Sequence, residues 1–112
     1  MEHILVKVYA GLHPVAAACA DSVRRAGSGA VHGSGEIWLF HEQELLRISF
    51  EGLYFPEDEV LEALESCLSA HAQGKIDVLD LEGWELRRYV RENGVFRLYR
   101  RGLNQVLDYS GL

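Results

Sequence analysis

Hydrophobic and polar positions divide the first part of the chain into a strand and a helix. The stretch from His3 to Tyr9 is apolar almost throughout and rich in β-branched residues, which predicts a central strand buried on both faces. Residues 10–12 are expected to break this strand. Residues 13–27 then follow a helical spacing, with a proline in the first turn and a glycine after the last. The chain therefore opens as a strand followed by a helix.

The middle of the chain predicts a hairpin, a second helix and a further strand. Residues 36–40 and 45–50 are apolar runs joined by a polar turn, which indicates two paired strands. Three acidic residues, Glu57–Glu59, then complement the N-terminus of a helix that is expected to end at Gly74. Residues 75–81 form another short apolar run. A strand is predicted there as well.

The order of these elements over residues 1–82 is β-α-β-β-α-β, which predicts an α+β fold with a ferredoxin-like core. Residues 83–112 are expected to add a C-terminal β-hairpin and an apolar tail that docks on the core or on a partner chain. A chain of 112 residues is expected to form one domain around one core. Because many unrelated functions share this fold, the fold alone predicts none of them.

The sequence of the predicted C-terminal hairpin is compatible with two pairing registers. Residues 84–93 fit a strand better than the alternative helix, since Asn93-Gly94 between two apolar runs is a strong hairpin signal. A two-residue turn would pair Glu92 with Val95 and mix arginine with apolar groups on both faces. A three-residue loop would pair Arg91 with Val95 and separate an apolar face from a polar one. We expect the three-residue loop, because only one register can bury a good apolar face.

The expected register gathers arginine and tyrosine into one patch. Guanidinium groups stack on phenol rings and bind phosphate or carboxylate through paired hydrogen bonds. The alternative is that these arginines pair with the acidic helix start at Glu57–Glu59, within the chain or across a symmetric dimer. The candidate anion-binding or partner-binding patch consists of Arg87, Tyr89, Arg91, Arg97, Tyr99 and Arg101.

Charge is distributed unevenly along the chain. The net charge is −6, yet residues 87–101 carry six arginines and one glutamate, while residues 1–86 carry five basic and fifteen acidic side chains. The protein is a charge dipole, so general affinity for nucleic acid through bulk charge is not expected.

Motifs for catalysis are weak. The five histidines have no metal-ligand spacing, the serines lack a nucleophile elbow, and the glycine-rich loop precedes a strand where a phosphate loop needs a helix. The sequence thus predicts neither an enzyme nor a cofactor or metal site. Cys19 and Cys67 are expected to be buried reduced thiols, because the chain predicts no signal peptide or membrane span and therefore a cytoplasmic location.

Two functional hypotheses follow. The first is a non-enzymatic protein-interaction or assembly domain that forms a homodimer or binds another protein. The alternative is a binding module whose Arg/Tyr ribbon captures nucleic acid or another phosphate-bearing ligand.

Overall fold

The polypeptide folds into an antiparallel sheet with helices on one side. The computed structural model of the chain describes residues 4–32 and 37–104, which form seven strands, two α-helices and one 3₁₀ turn. Every strand pair is antiparallel, and the strand order is β2-β4-β1-β5-β6-β7, with β3 also paired to β4. The elements are β1 (Val6–His13), α1 (Ala17–Ala26), the 3₁₀ turn (Gly27–Gly29), β2 (Val31–His32), β3 (Leu39–Glu42), β4 (Leu45–Tyr54), α2 (Glu57–Cys67), β5 (Gln73–Asp80), β6 (Glu85–Glu92) and β7 (Val95–Gly102).

This arrangement confirms the α+β class, but the predicted ferredoxin-like topology is not matched. The element order β-α-β-β-α-β supplies four strands, whereas β6 and β7 continue this sheet beyond β5. In addition, β2 and β3 both pair with β4. The strand order therefore differs from the predicted one. The physical reason is that β5 would otherwise expose a row of unpaired N–H and C=O groups, which the C-terminal hairpin satisfies.

Strand β1 is longer than predicted and is buried on one face only. The predicted strand ended at Tyr9, but pairing with both β4 and β5 continues to Leu12. Hydrogen bonding on both sides keeps Gly11 extended despite its low strand propensity. Val8 and Leu12 are buried while Tyr9 is exposed. The prediction of burial on both faces was wrong, because the helices cover only one side of the sheet.

Helix α1 is shorter than predicted, and α2 begins where its acidic residues predict. Helix α1 starts at Ala17 and not in the turn that contains Pro14, and its predicted cap, Gly27, follows its last residue. Helix α2 starts at Glu57. It ends at Cys67, well before the predicted end at Gly74, because the backbone turns extended at Leu68, and β5 begins at Gln73.

The hydrophobic core lies between the helices and one face of the sheet. Val8, Phe50 and Val78 come from three neighbouring strands and are buried together with Val23 of α1 and Leu64 of α2. Removal of this apolar surface from water is the main source of stability, at about 25 cal/mol per Å². The strand side chains that alternate with these residues point to the other side of the sheet.

A disulfide bond joins the two helices. Cys19 of α1 and Cys67 of α2 are 48 positions apart in sequence, yet their Cα atoms lie 5.4 Å apart and their sulfur atoms are bonded. The prediction of two reduced thiols was therefore wrong. Both helices pack side by side on the same face of the sheet, which brings together two cysteines that no local pattern relates.

Strands β6 and β7 form the predicted C-terminal hairpin in the register that was not preferred. Residues Glu85–Glu92 form strand β6, so the alternative prediction of a helix over residues 84–93 was wrong. Asn93 and Gly94 have φ angles of 55° and 79°, and Glu92 pairs with Val95. Two successive left-handed residues make a two-residue turn of type I′, whose twist matches that of the flanking strands. The expectation of a three-residue loop was wrong.

Hydrogen bonds link the residues that follow β7 to Trp84, which precedes β6. Leu103 is buried, and its backbone N–H donates a hydrogen bond to the carbonyl of Trp84 (3.0 Å). The Trp84 indole N–H donates to Asn104 Oδ1 (2.8 Å). The apolar docking tail predicted after this point, residues 105–112, lies outside the described residues.

Candidate functional site

The face of the sheet opposite the helices gathers basic side chains from five strands. Paired residues of an antiparallel sheet point to the same side, and side chains alternate along each strand. The registers therefore place six basic and four acidic side chains of the described residues on this face, which we call the open face. The basic ones are Lys7, Arg47, Lys75, Arg88, Arg97 and Arg101, and the acidic ones are Glu42, Glu51, Asp77 and Glu92. A net positive face thus belongs to a chain of net negative charge.

The patch predicted from the sequence is split between the two faces of the sheet. The half that lies on the open face consists of Arg97, Tyr99 and Arg101. The half that points toward α2 consists of Arg87, Tyr89 and Arg91. The two-residue turn shifts β7 by one residue against the expected pairing, and such a shift moves every side chain of a strand to the other face. The predicted residues therefore do not form a single patch.

Arg87 explains why its half of the patch faces α2. Its guanidinium donates two hydrogen bonds to Glu57 (2.9 and 2.8 Å), one to Asp80 (3.1 Å) and one to Glu85 (2.9 Å). The Tyr89 hydroxyl donates to the same Glu57 carboxylate. The hydrogen bonds to Glu57 raise the pKa of Arg87, and burial raises the pKa of Tyr89. For Arg87, the alternative of pairing with the acidic helix start within the chain is the one observed.

Arg91 is a buried side chain and not part of a surface. It is 5% exposed, and its guanidinium donates one long hydrogen bond (3.4 Å) to the carbonyl of Ser69. The guanidinium carbon lies 5.0 Å from the ring centroid of Phe96, within the range of a cation–π contact. Among the described residues its Nε has no hydrogen-bond partner. These contacts place Arg91 between the segment that follows α2 and the hairpin.

A row of basic residues crosses the open face from strand to strand, and we call it the first row. Arg47, Lys75 and Arg97 lie two strands apart from one another, with Gly11 and Val90 in the strands between them. Neighbouring strands are separated by about 4.8 Å, so the three cations follow one another at about 10 Å. Within the described residues neither Arg47 nor Arg97 forms an ion pair, and Lys75 reaches Asp77 only at 3.9 Å. Positive charge in this row is therefore mostly uncompensated.

A second row runs parallel to the first, two residues further along each strand, and carries aromatic rings. It contains Tyr9, Asp77, Arg88 and Tyr99. Arg88 donates two hydrogen bonds to Asp77 (2.7 and 2.9 Å), which neutralises the centre of this row. The rings at its two ends are 37% and 48% exposed. This second row therefore offers ring surface where the first row offers charge.

The Tyr9 side chain forms a hydrogen bond with a carboxylate on the neighbouring strand β4. Its hydroxyl donates to Glu51 Oε2 (2.8 Å). Burial, together with this hydrogen bond and the charge of Glu51, raises the pKa of Tyr9 to about 12. The phenol therefore stays neutral at physiological pH and adds no negative charge to the open face.

A groove of about 640 Å³ lies next to the first row. Its lining includes Gly11, Lys75 and Arg88. A Cβ atom added at Gly11 would meet no atom within 4 Å, so the missing side chain leaves free space above the central strand. Gly74, another lining residue, has φ +139°, and a Cβ there would lie 1.9 Å from the carbonyl oxygen of Gly11. Glycine at position 74 thus permits the close approach of β5 to β1 beneath the groove.

Sequence reasoning missed most of the open face. Tyr9, Arg47, Lys75 and Arg88 come from four strands and belong to no common sequence motif. Tyr9, Arg47 and Lys75 each stand next to a buried residue, and this alternation was the signal that could have placed them on the face away from the core, whereas the neighbours of Arg88 are only partly buried. Only the strand order shows that the four residues are neighbours.

Other site types are not indicated within the described residues. No group of three or more His, Cys, Asp or Glu in residues 4–32 and 37–104 is arranged to hold a metal ion. In the same part of the chain, neither helix has the length and apolar character needed to cross a membrane. Comparisons of the chain with models of protein families, with curated proteins and with solved structures found no match.

Proposed function

We propose that the protein is a non-enzymatic binding module whose open face takes up a phosphate-bearing polyanion. The observation that carries this proposal is the first row, where three cations at about 10 Å intervals have no carboxylate closer than the 3.9 Å contact of Lys75. By contrast, Arg87 and Arg88 form ion pairs with nearby carboxylates, so their charge is compensated within the chain. A polyanion would supply the missing partners to all three cations together.

The negative charge of the whole chain does not oppose this proposal at contact distance. The exposed acids of α2, such as Glu59, Glu62 and Glu65, belong to the layer on the other side of the sheet. At physiological ionic strength the Debye length is about 8 Å, so charges beyond that distance are largely screened. A ligand on the open face therefore interacts mainly with the local positive charge.

Charge reversal of the first row is expected to abolish polyanion binding. The triple variant Arg47→Glu, Lys75→Glu, Arg97→Glu should bind a fluorescein-labelled dodecanucleotide about 100-fold more weakly at low salt, from roughly 1 kcal/mol for each reversed charge. Fluorescence anisotropy at several salt concentrations measures this effect. For the unchanged protein, log K should fall linearly with log salt, because bound phosphates release counterions.

The matched control reverses three arginines that lie away from the open face. The variant Arg24→Glu, Arg25→Glu, Arg100→Glu has the same net charge as the first-row variant, with its changes on α1 and on the helix side of β7. It should retain at least about a third of the affinity, because screening weakens distant charges. Equal losses in the two triple variants, or no binding by the unchanged protein at low salt, would contradict the proposal.

A homodimer is the second candidate, favoured by the outer edge of β7. This strand has no described partner beyond β6, and Val95 and Leu98 along it are exposed. An unpaired edge can add a strand from another chain. The same strand carries Arg97, Arg100 and Arg101, whose like charges oppose the pairing of two copies of β7. This repulsion is why we place polyanion binding first.

Light scattering coupled to size exclusion tests the homodimer. If two copies associate along β7, the mass at high concentration should be twice the 12.6 kDa of one chain. Leu98→Lys should then return it to one chain, because a further charge on the edge adds to the repulsion. A mass of one chain at every concentration would remove this candidate.

Two further predictions from the sequence remain proposals. The absence of enzymatic activity is one of them. The other is the cytoplasmic location, which the Cys19–Cys67 disulfide argues against, because structural disulfides persist mainly in oxidising compartments.

A further inference from the structure

The chemistry of the two rows distinguishes between kinds of polyanion. The rows are two residues apart along each strand, which corresponds to about 7 Å. The first row offers charge, and the second row offers exposed rings. A ligand that uses both rows must carry anionic groups along one edge and flat groups along the other.

We infer that the open face binds single-stranded nucleic acid, with phosphates along the first row and bases stacked on Tyr9 and Tyr99. This inference rests on the proposed function and names its ligand. Every base has a ring face that can stack on an aromatic side chain, which makes such binding tolerant of sequence. In a duplex, the base faces are hidden by stacking and pairing, so a duplex could use only the first row.

The positions of the acidic side chains set the orientation of the strand. Asp77 lies in the second row and Glu51 lies beyond it, next to Lys7. Glu42 and Glu92 lie on the opposite side of the first row, two residues away from it along their strands. Phosphates placed over the second row would approach the Asp77 carboxylate, whereas over the first row they meet Arg47, Lys75 and Arg97. The phosphate path therefore follows the first row.

The spacing of the rings requires a splayed strand. Tyr9 and Tyr99 are separated by three strand spacings, or about 14 Å, in the same row of the sheet. Successive bases in a stacked strand rise by roughly 3.4 Å, so bases on the two rings belong to nucleotides that are not adjacent. The bidentate Arg88–Asp77 pair lies between the rings and presents polar groups to the bases of the intervening nucleotides.

The test compares probes and ring variants by fluorescence anisotropy. Labelled dT12 and rU12 serve as single strands, a 12-base-pair duplex serves as the stacked form, and inorganic polyphosphate serves as a polyanion without bases. The single strands should bind at least about tenfold more tightly than the duplex. Tyr9→Leu and Tyr99→Leu should each weaken single-strand binding about tenfold. Competition by polyphosphate should be unchanged in both variants.

Controls separate the ring from the hydroxyl and from the fold. Tyr9→Phe keeps the ring and loses the hydrogen bond to Glu51, so it should bind single strands more tightly than Tyr9→Leu does. Tyr54→Leu removes an exposed tyrosine on the helix side of β4 and should have no effect. Gly11→Val fills the floor of the groove without a change in charge and should weaken single-strand binding. Circular dichroism and thermal unfolding confirm that each variant is folded.

The outcomes distinguish this inference from the proposed function. If duplex, polyphosphate and single strands compete equally and the tyrosine variants behave as wild type, the single-strand inference is wrong while polyanion binding stands. If no probe binds at low salt, both the proposed polyanion binding and the single-strand inference are wrong. If the labelled strand does not bind and a second copy of the chain does, the homodimer replaces them.

Discussion

Reduction of the Cys19–Cys67 disulfide is expected to lower the free energy of unfolding by about 4 kcal/mol, which is a large part of the stability of a small domain. The bond closes a loop between residues 48 positions apart. In the chain-entropy description, closure of a loop of this length restricts the unfolded chain and so stabilises the folded one. The folded state itself loses only a local link, since Cys19 is already packed in the core between α1 and the sheet.

Chemical unfolding with and without dithiothreitol measures this effect. The unchanged protein should unfold at a lower denaturant concentration when reduced, and the variant Cys19→Ser, Cys67→Ser should match the reduced protein. Reductant should have no effect on this double variant, which serves as the control for unspecific effects of dithiothreitol. Two free thiols in the denatured, non-reduced protein would show that the bond does not form.

Replacement of Arg87 by methionine is expected to cost about 3 kcal/mol, near the lower end of the range for a buried ion pair that loses one partner. The side chain is 18% exposed and holds three carboxylates, those of Glu57, Asp80 and Glu85. Without the guanidinium these half-buried negative charges repel one another and lose hydrogen bonds. The contact between the N-terminus of α2 and strands β5 and β6 should therefore weaken.

A double-mutant cycle isolates the part of this loss that comes from Glu57. In the Arg87→Met background, Glu57→Gln removes one unpaired charge and should recover part of the lost stability, whereas in the unchanged protein it should destabilise. Arg100→Met is the matched control, because this arginine is 62% exposed and reaches Glu85 only at 3.9 Å. It should change the stability by less than about 0.5 kcal/mol. Additive effects of the Arg87 and Glu57 changes would contradict a coupled network.

The same network predicts a dependence of stability on acid pH. The pKa of Asp80 is below its ordinary value, chiefly because the backbone N–H of Gly83 donates to its carboxylate and then because Arg87 pairs with it. A lowered pKa in the folded state contributes stability above the unfolded pKa of about 3.9, and this contribution is lost as the pH falls through the folded pKa. The stability difference between the unchanged protein and Arg87→Met should therefore shrink below about pH 4.

Local elements were predictable where neighbours in sequence decide them. The acids at Glu57 to Glu59 mark the start of α2, because the helix dipole acts over one helical turn. Gly27 follows the last residue of α1 as predicted, but with φ of −87° it leads into a 3₁₀ turn and does not form a left-handed cap. Asn93-Gly94 predicts the hairpin for a similar reason, since both residues tolerate a positive φ. The predicted turn type was nevertheless wrong, because the local preference of Asn93 and Gly94 for two left-handed residues outweighs the separation of an apolar face from a polar one. Arginine can face α2 here because Glu57 neutralises it.

The sequence by itself determined the α+β class, most of the strands and helices, and the uneven distribution of charge. Periodicity, caps and turn residues act between neighbours in the chain, so they can be interpreted without a structure. Only the tertiary structure decided that α1 and α2 share one face of the sheet and join through Cys19 and Cys67. It also decided that Arg87 forms ion pairs with three carboxylates, whereas Arg47, Lys75 and Arg97 lie in one row on the open face. Both outcomes depend on the pairing of strands and helices far apart in sequence, which sets the face and the neighbours of every side chain.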